Sequence, residues 1–108
     1  MLKKEYRGLS RGEILSFKEK GVMHKTPLFG LVVLKSEKPK VGIIISKKIS
    51  KKAVDRNRVK RLVYQAVGED WNEFEKKGIM GLFLVRSVIL EKSYEEIKKT
   101  WQELLKSF

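Results

Sequence analysis

The sequence predicts an α+β fold, a single sheet with helices packed on it, on three observations. Two aliphatic runs, residues 28–35 and 41–46, are joined by the polar turn Ser36-Glu37-Lys38-Pro39-Lys40 and read as an antiparallel hairpin. A third run, GIMGLFLVRS at 78–87, follows a helical stretch long enough to serve as a crossover, so it can lie parallel to the second. Two S-x-x-E sequences, starting at Ser10 and Ser93, have the spacing of capping boxes and open helices. With 108 residues, 42% of them apolar, and no internal repeat, the chain is read as one domain over 1–108 with one core.

Taken in order, residues 1–9 form a basic lead-in with Lys3, Lys4, Tyr6 and Arg7, expected to be flexible. The first helix starts after Ser10, runs to about Lys20 and stops at Gly21, with Ile14 and Phe17 on one face. Residues 22–25 read as a short strand before the Thr26-Pro27 break. In the hairpin, VGIII is nearly continuous in apolar residues, which suggests a central strand. Gly30 and Gly42 lie inside strands and suggest a bulge or the close approach of another backbone. His24, the single histidine, has no ligand partner at metal spacing.

The helical stretch begins at Ala53. Val59, Leu62, Val63, Ala66 and Val67 recur at i, i+3, i+4, i+7 and i+8, a stripe that faces a core. At about 100° per residue, Asn57, Arg58, Lys60 and Arg61 fall on the opposite arc, with Arg56 at its edge and Tyr64 near its middle. Within sixteen positions, 46–61, stand Lys47, Lys48, Lys51, Lys52, Arg56, Arg58, Lys60 and Arg61 against the single acid Asp55. A merely solvated helix face mixes both signs for i, i+4 support, and this face has no glutamate partner. The arginines among them donate in a fork that matches phosphate oxygens, so the face reads as a polyanion site.

Gly68 reads as the cap of this helix, and 69–77 as a connector with one or two helical turns. Its acids Glu69, Asp70, Glu73 and Glu75 suit the dipole of a helix start better than a metal or a catalytic pair. The third run, 78–87, reads as an interior strand. In the last helix Tyr94, Ile97, Trp101, Leu104, Leu105 and Phe108 share a stripe, with Trp101 as core anchor.

A net charge of +12 points to nucleic acid or an anionic surface. No apolar run approaches the roughly 20 residues of a membrane span, no signal-peptide series stands at the start, and there is no cysteine, so a cytoplasmic protein without membrane or metal-thiolate role is expected. No histidine pair, thiol or acid/base pair suggests a catalytic residue.

The stretch SKKISKKAVDRNRVKRLV resembles the signature of the bacterial ribonuclease P protein component, and LFGLVVL, VGIIISKK and SYEEIKKTWQELLK stand where that family has them. The resemblance implies an αβββαβα sandwich with one mostly antiparallel central sheet and a left-handed β-α-β crossover, the fold also of a ribosomal small-subunit protein's second domain. It implies a subunit that binds the catalytic RNA and the 5′ leader of precursor tRNA, promoting endonucleolytic maturation with magnesium bound mainly by the RNA and no protein partner required. By the same resemblance the RNA-facing motif falls on Arg56, Asn57, Arg58, Lys60 and Arg61. The leader cleft, between the first helix and the sheet, takes in Phe17, with Val32 and Arg86 on the strands. Tyr64 stands where many members have arginine, and Val67 where they have phenylalanine. A ribosomal or assembly RNA-binding protein on the same scaffold is the alternative, and a lipid-bound peripheral protein is disfavoured because the apolar stripe is needed for the core.

Overall fold

In the computed structural model, which describes residues 2–45 and 48–108, a four-stranded sheet carries helices on both faces. The elements in order are α1 (Arg11–Lys20), β1 (Val22–Lys25), β2 (Phe29–Lys35), β3 (Val41–Ile44), α2 (Ala53–Glu69), α3 (Trp71–Lys76), β4 (Ile79–Val85) and α4 (Tyr94–Leu105). Short 3-10 turns at Lys4–Tyr6 and Ser87–Glu91 precede α1 and α4. Both expected capping boxes are formed. Ser10 and Ser93 each accept from the backbone N–H of the glutamate three residues on, and that glutamate accepts from the serine N–H in return.

The sheet order is β1-β2-β4-β3, with β1/β2 and β2/β4 antiparallel and β3/β4 parallel. The parallel pairing across α2 agrees with the sequence reading, but the hairpin does not form, because β4 lies between β2 and β3. The 36–40 turn spans that width easily. Two strand spacings come to about 9–10 Å, and five residues reach about 17 Å. β4 takes the centre because it is apolar on both sides, whereas β3 is short and leaves Ile44 exposed at the edge. VGIII is therefore an edge strand rather than a central one.

Alternation sorts the sheet into two faces. Phe29, Leu31 and Val33 of β2 with Ile79, Phe83 and Val85 of β4 join the larger core, completed by α2 and α4. Val32, Met80 and Leu82, flanked by Leu34 and Leu84, point the other way and are closed over by Phe17 of α1. Trp101 is the anchor expected of α4, 1% exposed and packed on Phe83 and Phe74 with ring centroids 5.6 and 6.0 Å away. A clamp ties the ends of α2 and α4. Glu69 accepts from the Tyr94 hydroxyl and the Lys98 ammonium, which hold its carboxyl below the usual range.

Other boundaries differ from the sequence reading. α2 runs through Gly68 to Glu69, so Gly68 is not the cap; a left-handed glycine instead stands at Gly78, φ 65°, where it ends α3 and turns the chain into β4. The strand glycines make no bulge. They admit side chains, since a Cβ on Gly30 would lie 2.9 Å from Met23 Sδ and one on Gly42 2.7 Å from Leu9 Cδ1. The lead-in expected to be flexible is packed: Leu2 is buried and the Tyr6 ring lies 4.7 Å from Trp71.

Gly21 sets how closely α1 approaches the sheet, because a Cβ there would sit 2.3 Å from Val32 Cγ1 and 2.5 Å from the Phe17 carbonyl oxygen. Gly21→Ala is expected to lower stability by about 1–3 kcal/mol through overpacking. Gly12→Ala in α1, where a Cβ would meet only Ser10 Oγ at 4.0 Å, should raise it by about 0.5–1 kcal/mol. Urea denaturation of both variants checks the pair, and equal effects would contradict the packing described.

Candidate nucleic-acid interface

The apolar stripe of α2 is buried as read: Val59, Val63, Ala66 and Val67 are covered and Leu62 is part-buried. Each such aliphatic side chain contributes about 1.5–3 kcal/mol when fully buried, which fixes the helix's rotation and with it the direction of the polar arc. Asn57, Lys60 and Arg61 project into solvent, as do Lys48, Lys51 and Lys52 on the approach to the helix. Lys47 lies outside the described residues. Among the described residues none of these cations is in an ion pair; the two present, Lys40 with Glu13 and Lys98 with Glu69, are elsewhere. The face therefore keeps its positive potential intact.

Two arginines of the motif are engaged in the protein itself. Arg56 donates from a terminal nitrogen to the Ser50 carbonyl at 2.7 Å, while the Ser50 hydroxyl donates to Asp55 at 3.0 Å. The loop before α2 is folded back on the helix by this pair of contacts. Arg58 donates at 3.3 Å to the Lys92 carbonyl, just before α4, and so ties α2 to the last helix. Both remain part-buried with further N–H groups on the fork.

Tyr64 lies within the cationic arc: successive 100° steps put it between Lys60 and Asn57, about 80° from Arg56 at one end and about 120° from Arg58 at the other. It is part-buried, with the Arg7 guanidinium carbon 5.7 Å from its ring centroid. Burial pushes its phenol up and Arg7 pulls the other way.

The residues read as a cleft separate. Phe17 is 2% and Val32 8% exposed, both inside the cluster under α1, so neither offers a free surface. The helix is short and has only one aromatic, and that ring is the side chain with enough area to close the face. Arg86, in contrast, is exposed on a groove of about 320 Å³ with Met23, Lys25, Gly30 and Leu84. Met23 and Lys25 were missed. The signal was available in the alternation of β1, which sets Met23 opposite Val32 and Lys25 opposite Gly30 on the α1 face. Among the described residues no three His, Asp or Glu side chains converge.

A family model, Ribonuclease P, matches residues 2–108. The chain belongs to that family. A protein of Bacillus cereus (strain G9842) named Ribonuclease P protein component is 35% identical over 102 residues, covering 92% of this chain and 87% of the relative. One of the same name from Bacillus velezensis is 40% identical over 79 residues, 73% of this chain and 66% of the relative. Among solved structures, the RNase P protein from Thermotoga maritima superposes with a TM-score of 0.83 at 21% identity, covering 94% of this chain and 96% of that one. The Staphylococcus aureus RNase P protein gives 0.77 at 20% identity, covering 95% and 94%. At such identities the structures speak for the α+β fold, in which this chain agrees with its family.

The two kinds of cation should separate on mutation. Arg58→Ala removes the tie to the Lys92 carbonyl and is expected to cost about 1 kcal/mol of stability. Arg61→Ala, at an exposed position, should stay within about 0.5 kcal/mol. Thermal melts of the two variants read the difference, and indistinguishable melts would make Arg58 another free cation.

Proposed function

We propose that this chain is the protein subunit of a cytoplasmic ribonuclease P, holding the catalytic RNA on α2 and the 5′ leader of precursor tRNA on the α1 side of the sheet. The observation that carries the reading is the unneutralised face formed by Lys48, Lys51, Lys52, Lys60 and Arg61, rigidly backed by a core. Such a face gains by releasing the counterions condensed on a polyanion. Family membership supports RNA as that polyanion.

In this reading the chain binds and orients and does not cut. Glu13, Glu69 and Glu96 are lowered by local hydrogen bonds and lysines rather than raised toward a general acid. In this reading the RNA subunit with its magnesium performs the hydrolysis, and the protein contributes affinity and register. No further protein is needed. The groove beside Arg86 supports a role in leader binding, because Met23, Gly30 and Leu84 make an apolar floor while Lys25 and Arg86 face the backbone charges.

Purified protein in magnesium alone should leave precursor tRNA intact, and adding the RNA subunit of a bacterial ribonuclease P should produce cleavage at the mature 5′ end. Site-specific cutting by RNA-free protein that survives repurification would overturn the reading.

The leader groove is tested by precursor and mature tRNA in parallel, bound to the reconstituted particle. The double change Lys25→Ala with Arg86→Ala is expected to weaken precursor binding about ten-fold, with mature tRNA little affected. Phe17→Ala, by its burial, should instead lower stability by about 3–5 kcal/mol and affect both RNAs alike. Equal losses from the double change would move the leader elsewhere.

A further inference from the structure

Asp55 is the single acid of the cationic stretch 46–61, and among the described residues it is in no ion pair. Its carboxylate is bound instead to a hydroxyl: Ser50 Oγ donates to Asp55 Oδ2 at 3.0 Å. The same Ser50 oxygen accepts from the Lys52 backbone N–H at 3.2 Å, and the Ser50 carbonyl accepts from Arg56 Nη1 at 2.7 Å. One serine thus gathers an acid, an arginine and the amide at the start of the helix.

The reason for this arrangement lies at the cap. α1 and α4 are opened by direct boxes, in which a serine at the N-cap and a glutamate three residues on bond each other's backbone N–H. α2 has its acid at the same place, Asp55 standing three residues after the N-cap. The N-cap itself is Lys52, whose ammonium has no lone pair to offer the helix. Ser50 stands in from two residues back. Its hydroxyl oxygen takes the N-cap amide that the acid takes in the other two helices, and the acid holds that hydroxyl in turn. The relay releases the N-cap position to a cation. Lys51 and Lys52 are exposed beside it, and Arg56 is held through one nitrogen with most of its fork still free.

We propose that Asp55 and Ser50 are positioning residues of the polyanion site, a latch that fixes the loop 48–52 and the Arg56 guanidinium in the arrangement the RNA meets. The inference rests on the RNA-binding reading above and adds to it a role for the one residue whose charge opposes binding. By charge alone Asp55 weakens the face, since a carboxylate repels phosphate. By geometry it strengthens the face, because cations held in place before contact lose less freedom on binding. The two effects have opposite signs, so removing the acid tells them apart.

The test titrates a bacterial ribonuclease P RNA subunit with the full chain at several salt concentrations, using a charge-matched pair of variants. Asp55→Asn and Asp55→Ala remove the same charge, and only the asparagine keeps an oxygen for the Ser50 hydroxyl. Asp55→Asn should bind at least as tightly as the unsubstituted chain. Asp55→Ala should bind about five-fold more weakly than Asp55→Asn and lose about one phosphate equivalent of salt slope against it. Ser50→Ala, which changes no charge, should weaken binding by a similar factor, and joining it to Asp55→Ala should add little, as two parts of one unit do. Thermal melts accompany each titration, and binding is read well below the lowest midpoint so that lost stability does not pass for lost affinity. In the unsubstituted chain the Lys52 amide should be protected from hydrogen exchange. Equal affinities for Asp55→Asn and Asp55→Ala overturn the latch and leave Asp55 a bare charge. Should Asp55→Ala not fold, Ser50→Ala decides, and its unchanged affinity overturns the latch equally. An unprotected Lys52 amide does so without any variant. Absence of RNA binding by the unsubstituted chain would remove the RNA reading and the positioning role together.

Discussion

Seven consecutive residues of β4 are apolar or glycine, and leaving either face of that strand in water would cost about 25 cal/mol for each Å² of apolar surface. Covering both faces is the constraint from which the rest of the arrangement follows. α2 and α4 close one side around Phe83, and α1 closes the other through Phe17 over Met80 and Leu82. Neither layer suffices alone. The strands that flank β4 also follow from this demand, because a central position needs a neighbour on each edge and β2 and β3 supply them from opposite directions. The hairpin that β2 and β3 would form by themselves is thereby opened to admit a strand that comes much later in the chain.

The same constraint aims the charge. Once Val59, Val63 and Val67 are committed to the core side, the helical period leaves Lys60 and Arg61 no direction but outward. Arg56 and Arg58 lie nearer the core boundary, and each spends part of its donor set on a backbone carbonyl. These contacts hold the preceding loop and the start of α4 against α2, so the cations beyond them sit on a surface already rigid before any polyanion arrives. A flexible array of the same charge would have to be ordered on binding and would lose the entropy of its side chains and loop.

How much of this could be read from the residues depended on whether the signal was local. Both capping boxes, the span of α2 from Ala53, the buried stripe and the anchoring role of Trp101 rest on spacings within a few turns, and they stand in the structure. The misreadings concern distance in the chain. Nothing near VGIII says that a strand beginning at Ile79 will displace it to the edge. Nothing near Lys3 says that Trp71 waits to receive Tyr6. In the cleft, the family resemblance pointed to Phe17 as an open wall, but α1 has no second aromatic to share the closure of the sheet, so Phe17 is consumed by packing. Arg86 lines an open groove because it follows the last buried residue of β4 and has no core position to fill.

Charge and stability then pull against each other in a way that binding resolves. A net +12 on 108 residues repels itself, and the described ion pairs, Lys40 with Glu13 and Lys98 with Glu69, offset little of it because both are partly solvated. The depressed Glu69 carboxyl adds its small contribution above its ordinary titration range and loses it as pH falls through its lowered value, so acid leaves the molecule with more positive charge and one clamp fewer. A polyanion bound on the α2 face would act in the opposite direction. It would neutralise the face that the fold cannot neutralise internally and, by binding the folded chain in preference to the unfolded one, would stabilise the fold by mass action. The absence of acids opposite α2 is therefore a cost carried by the free protein and removed in the complex, and the apolar closure of β4 from two sides is what lets the free protein carry it.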